Sequence, residues 1–168
     1  MAILPLVEFP DPILKQIAEP VGRIDDAVRK LLRDMADSMY DAPGIGLAAP
    51  QIGISRRLIV VDVKWREQDR NPRGYVNPEI VFSEGTMGFE EGCLSVPGFQ
   101  SEVKRASRVV VKALDPDGKP VEVDAEGIEA VCFQHEVDHL NGMLFIDRIS
   151  RLKRGLYMKR RKKDLARD

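Results

Sequence analysis

The sequence predicts an α+β fold: a mostly antiparallel sheet packed around a central helix, with an N-terminal helix before it and a basic helix at the C-terminus. Three observations carry this. Two segments place apolar residues at three-to-four spacing, the period of a helix. Between them lie short β-branched runs, two of them joined by a hairpin turn. The order is helix, strands, helix rather than alternating strand and helix, which points to α+β and not to a parallel sheet.

The first helix begins where Asp25 or Asp26 can cap it, carries Val28, Leu31, Leu32, Met35 and Met39 on one face, and is stopped by Pro43-Gly44. Residues 44–51, Gly-Ile-Gly-Leu-Ala-Ala-Pro-Gln, are mostly small and let another backbone come close; they read as a loop. The β-branched run 58–63 reads as a strand, as do 76–82, 108–114 and 121–123, with Asp115-Pro116-Asp117-Gly118 as the turn between the last two. Residues 128–141 return to helical spacing through Ile128, Val131, Cys132, His135 and His139, and Asn141-Gly142 closes them. From Arg151 onward lie nine of the 26 basic residues and two of the 27 acidic ones, so the body is acidic and the last helix basic.

A chain of 168 residues, 43% apolar and 32% charged, is long enough to bury one sizeable core and is neither disordered nor fibrous in composition; residues 1–168 are expected to form a single domain. Two cysteines are too few for a disulfide scaffold. The opening residues lack a basic stretch, Glu8 ends their apolar run, and no run approaches the roughly 20 residues that span a bilayer. A cytoplasmic protein without a membrane partner is expected.

Both histidines fall within His135-Glu136-Val137-Asp138-His139. Helix residues four apart share a face about 5 to 6 Å apart, so two imidazoles can grip one metal ion while Glu136 approaches a water on it. The central helix is therefore predicted to be metal-binding. A catalytic site usually takes three protein ligands and leaves one place open. Cys132 lies on the same stripe but about 7 Å along the axis from the midpoint of the histidine pair, too far for a short side chain, and reads as a small buried residue. Cys93, in Glu91-Gly92-Cys93-Leu94-Ser95, is the other sulfur; taken alone, a buried structural cysteine is its simpler reading. With it the donor set would suit zinc or ferrous iron.

Residues 44–51, 91–95 and 135–139 resemble, complete and in order, the three signature motifs of the peptide deformylases. The likeness extends through Phe9-Pro10-Asp11-Pro12 and residues 144–150, and so covers nearly the whole chain. The resemblance implies a hydrolase that removes the N-formyl group from the leading methionine of nascent polypeptides and releases formate. It implies that Cys93, His135 and His139 hold one divalent ion, natively Fe2+, with Zn2+, Ni2+ or Co2+ able to occupy the site. It implies that Glu136 takes a proton from the water that attacks the formyl carbon and returns it to the departing amine. By the same resemblance the oxyanion is expected to be met by the ion, the Gln51 side-chain amide and the Leu94 backbone N–H, with Gly46 placed among these catalytic residues.

For the substrate, Gly44 and Ile45 present backbone to an extended formyl-methionyl peptide, with Glu91 and Gly92 beside it. Ile45, Phe89, Ile128, Val131 and Cys132 are expected to wall an apolar pocket for the methionine side chain. One position departs from the family: Gln100 stands where many members carry arginine, and Lys104 or Arg105 is the neighbouring cation that could replace that anchor. The rival reading, a zinc endopeptidase with the same helical motif, normally takes a later glutamate or histidine; none follows His139, which leaves Asp147. The basic tail fits a ribosome or nucleic-acid surface, although Tyr157 is its one aromatic residue. As for relatives of the family, it is expected to dock the enzyme near nascent chains.

Overall fold

Local rules account for the first helix. In the computed structural model, which describes residues 2–167, the Asp25 carboxylate accepts from the Val28 N–H at 3.0 Å and opens α1, Asp26–Asp41. Met1 and Asp168, the last acidic residue of the tail, lie outside the described residues. The strands follow as β1 Gly46–Ala48, β2 Leu58–Val61, β3 Arg73–Glu84, β4 Met87–Cys93, β5 Val96–Arg105, β6 Arg108–Leu114 and β7 Pro120–Glu126. Helix α2 spans Gly127–Leu140, and α3 spans Arg151–Ala166.

The main sheet has the order β1-β2-β3-β6-β7, every pair antiparallel, and β4-β5 forms a separate two-stranded ribbon. Strand β2 shows why the sheet is covered twice. Its four residues are all buried, and because side chains alternate faces they divide between two helices. Leu58 and Val60 pack with Val28, Leu32, Met35 and Met39 of α1. Ile59 and Val61 pack with Phe133 and Leu140 of α2, alongside Val109 and Val111. Helix α2 is buried nearly all round although it carries His135, Glu136, Asp138 and His139: every residue of 130–140 except Gln134 is buried.

A third cluster joins the ribbon to the C-terminal helix. Val96 and Val103 of β5 meet Phe145, Ile146 and Tyr157, with Phe9 and Leu14 from the N-terminal segment. Arg160 and Arg161 donate to the carbonyls of Gly98 and Phe9, so part of the tail's charge fastens it to the body. Leu152 and Leu156 remain exposed. No helix among the described residues is long and apolar enough to cross a membrane.

The predicted α+β architecture holds, with two differences. The stretch read as a loop contains β1 and a 3-10 turn, Ala49–Ile52. Its small residues do allow close approach: a Cβ on Gly46 would lie 2.6 Å from Glu136 Oε2 and 2.7 Å from Cys132 Sγ. The β4-β5 ribbon was not foreseen. Along β5 Ser101, Val103 and Arg105 alternate inward, but two of those three are polar, so the hydrophobic alternation that marks a strand is muted.

Candidate metal centre

Two elements bring the donors together. Helix α2 supplies His135 and His139 from adjacent turns, their ring centres 5.0 Å apart. Cys93 ends β4 where the ribbon register slips: Gly92 opposes Gln100, whereas Cys93 opposes Val96. That irregularity turns the thiol toward the helix, with Sγ 3.4 Å from His139 Nε2. One donor atom each from Cys93, His135 and His139 lies within 4.8 Å of the others.

The surroundings prepare these donors. His135 Nδ1 is 2.8 Å from Glu91 Oε1, which leaves Nε2 for the site. Burial opposes charge on Glu91, but hydrogen bonds from Arg105 and His135 outweigh it and hold the carboxyl below its usual range. Burial also opposes charge on His135, yet contacts with Cys93 and Glu91 keep its pKa well above the ordinary value, so an ion taking Nε2 would displace a proton there. For His139, burial and then the neighbouring His135 hold the pKa well below, so this ring is neutral and offers a lone pair. A half-buried sulfur beside two buried imidazoles suits a borderline divalent ion.

Glu136 is on the same helix, 4% exposed, with Oε1 buried and unpartnered among the described residues. Burial pushes its pKa up to about 7, against the pull of His135. Such a carboxyl can both take and return a proton near neutrality. Gln51, from the 3-10 turn, is fixed at both ends of its amide. Oε1 accepts from the Ala48 N–H at 3.0 Å, while Nε2 donates to Ser95 Oγ at 3.2 Å and to Cys93 Sγ at 3.6 Å.

A cleft of about 890 Å³ opens onto these groups. Glu136, Gln51, Leu94 and Gly46 line it, as do the donors Cys93 and His135. Gly44, Ile45, Phe89, Gly92, Ile128, Val131 and Cys132 also border it. Burial pushes the Cys132 thiol well above its ordinary pKa, and the S–H donates to the Ile45 carbonyl at 3.7 Å. Glu91 reaches the cleft, but its carboxylate is occupied by Arg105 and His135.

The chain belongs to the polypeptide deformylase family. The family model so described matches residues 3–155. A peptide deformylase of Mesorhizobium japonicum is 53% identical over 169 residues, covering 100% of this chain and 96% of the relative. The crystal structure of a peptide deformylase from Legionella pneumophila superposes with a TM-score of 0.90 at 49% identity, covering 99% of both chains. That of the Ehrlichia chaffeensis peptide deformylase in complex with actinonin gives 0.91 at 37% identity, covering 98% of both.

Against this deformylase frame, one expectation needs correction. Neither Lys104 nor Arg105 stands in for an arginine at Gln100. Arg105 is 5% exposed and bound to Glu91 and Asp138, and Lys104 borders a second cavity of about 380 Å³. The guanidinium that borders the main cleft is Arg66, which donates to the Pro43 carbonyl at 2.9 Å. Sequence reasoning also missed Ser95 as the Gln51 anchor, and Asp138 and Arg148 behind the histidines; the Asp138 position inside the helical motif was the available signal. Arg105→Met should leave buried Glu91 without its guanidinium and Asp138 with Arg148 alone, at a cost of about 3 to 5 kcal/mol. Chemical denaturation measures it, and an unchanged midpoint would contradict the assignment.

Proposed function

We propose that this chain deformylates the N-terminal formyl-methionine of nascent polypeptides with a divalent ion held by Cys93, His135 and His139, and that residues 1–168 act as one catalytic domain. The observation that carries this reading is the meeting of those three donors, of which Cys93 and His135 line a peptide-sized cleft together with buried Glu136. The ion, Fe2+ in the native enzyme, with Zn2+, Ni2+ or Co2+ as substitutes, supplies Lewis acidity that makes water a nucleophile near neutral pH. Glu136 accepts the proton of the attacking water and passes it to the amine as the C–N bond breaks, leaving formate.

Gln51 donates toward the oxyanion from a side chain already held by Ala48 and Ser95, so little reorganisation is needed. The Leu94 backbone N–H is the second donor. Gly46 keeps this wall thin enough for Glu136 to lie against the β1 backbone. The peptide lies extended along Gly44 and Ile45, next to Glu91 and Gly92, with the methionine side chain among Phe89, Ile128, Val131 and Cys132. Helix α3, with its run of lysines and arginines, docks on the ribosome, and the enzyme works in the cytoplasm.

Formate release from a formyl-Met peptide tests the reading. Activity should vanish on chelation, return with Fe2+ or Co2+, and fall at least about 10-fold for a formyl-Asp peptide that cannot fill an apolar pocket. Actinonin should compete with the peptide. Undiminished turnover after the ion is removed would overturn the proposal.

A further inference from the structure

We propose that Arg148 is a positioning residue for His135, acting through Asp138, Arg105 and Glu91. The inference rests on the reading above that His135 holds the ion. Arg148 ends a 3-10 turn, Phe145–Arg148, with its side chain 40% exposed. It grips Asp138 with two bonds, Nε to Oδ2 at 2.6 Å and Nη2 to Oδ1 at 2.8 Å. Asp138 Oδ2 also accepts from Arg105 Nη1 at 2.7 Å. Arg105 in turn donates to both oxygens of Glu91, at 2.7 Å and 2.9 Å, and Glu91 Oε1 lies 2.8 Å from His135 Nδ1.

The links alternate in charge: two guanidinium groups face two carboxylates, so the set is neutral overall. Neutrality is what lets three of its four members sit buried. Planarity makes it directional, because a forked guanidinium bonding both oxygens fixes the plane of a carboxylate, as an ammonium does not. Arg148 alone of the four is substantially exposed, and it alone sets the Asp138 plane from the far side. Without it Asp138 keeps a single cation, Arg105, whose remaining donors are committed to Glu91. Glu91 Oε1 serves both Arg105 and His135, so a shift of Arg105 reaches the ring as a change in the bond to Nδ1. A bystander role for Arg148, fastening the 3-10 turn to α2, would stop at Asp138.

Cobalt-loaded protein separates the two roles. The measurements are the Co2+ dissociation constant and the rate at which the His135 ring N–H exchanges with solvent; the chain has two histidines, which keeps the ring signals few. Replacing a direct outer partner of a metal ligand typically costs 10- to 100-fold in affinity. Glu91→Gln should fall in that range. Arg148→Met, two links further out, should weaken Co2+ by about 3- to 10-fold and speed N–H exchange by a similar factor, and Arg148→Lys should lie between it and the wild type. Arg108→Met removes an arginine of like exposure, 37%, paired with Glu84 and Asp124 on the sheet, and should leave both readings unchanged.

Wild-type values for Arg148→Met, or equal losses in Arg108→Met, would overturn the inference. If Arg148→Met does not fold, wild-type values for Arg148→Lys overturn it in the same way. Failure of the wild-type protein to bind Co2+ would instead overturn the metal site itself.

Discussion

Glu136→Gln is expected to retain the metal ion and to lose turnover by about 100- to 10,000-fold, the usual worth of a general acid–base group. The amide matches the carboxylate in size, which matters because Glu136 Oε2 lies against Gly46, where even an added Cβ would stand 2.6 Å away. What the amide lacks is basicity. In the wild-type enzyme burial holds this carboxyl at about 7, close to the working pH, so it is strong enough to take a proton and weak enough to release it. Metal content by elemental analysis, read beside formate release, separates chemistry from binding. Near wild-type turnover with the ion bound would mean that another group carries the proton.

Cys93→Ala should act on the ion first. It leaves two imidazoles as the protein donors, and loss of a direct ligand should exceed the 10- to 100-fold cost of disturbing an outer one, so affinity should fall by more than about 100-fold. The sulfur also accepts from Gln51 Nε2 at 3.6 Å, but Gln51 keeps its bonds to Ala48 and Ser95, and its amide, the proposed oxyanion donor, should stay in place. The expected phenotype is a folded, metal-poor protein whose activity returns in part at high Co2+ concentration. Full metal occupancy in Cys93→Ala would remove the residue from the donor set.

How much of this was legible beforehand differs residue by residue. The HExxH spacing placed His135, Glu136 and His139 on one buried helix because four residues make about one turn whatever surrounds it. Cys132 was set aside from the ion by its distance along the same axis, and it packs against the Ile45 carbonyl. The first helix and its Asp25 cap followed from spacing and capping chemistry alone. The ribbon β4-β5 did not, because its inward face carries Ser101 and Arg105 beside Val103. The replacement suggested for Gln100 failed for a related reason: a buried arginine looks like any other arginine until its carboxylate partners are known.

Short-range order, then, was written in the chain itself: the helical motif, the hairpin turn, the caps, and by family likeness the candidate donors. Only the tertiary structure decided how Cys93 meets His139 across 46 residues, why Gly46 must lack a side chain, and which carboxylates hold Arg105. The reason is range. Helical spacing and turn chemistry act over a few residues, whereas a strand register and a buried charge network exist only once distant segments have paired, and neither leaves a periodic trace in the sequence.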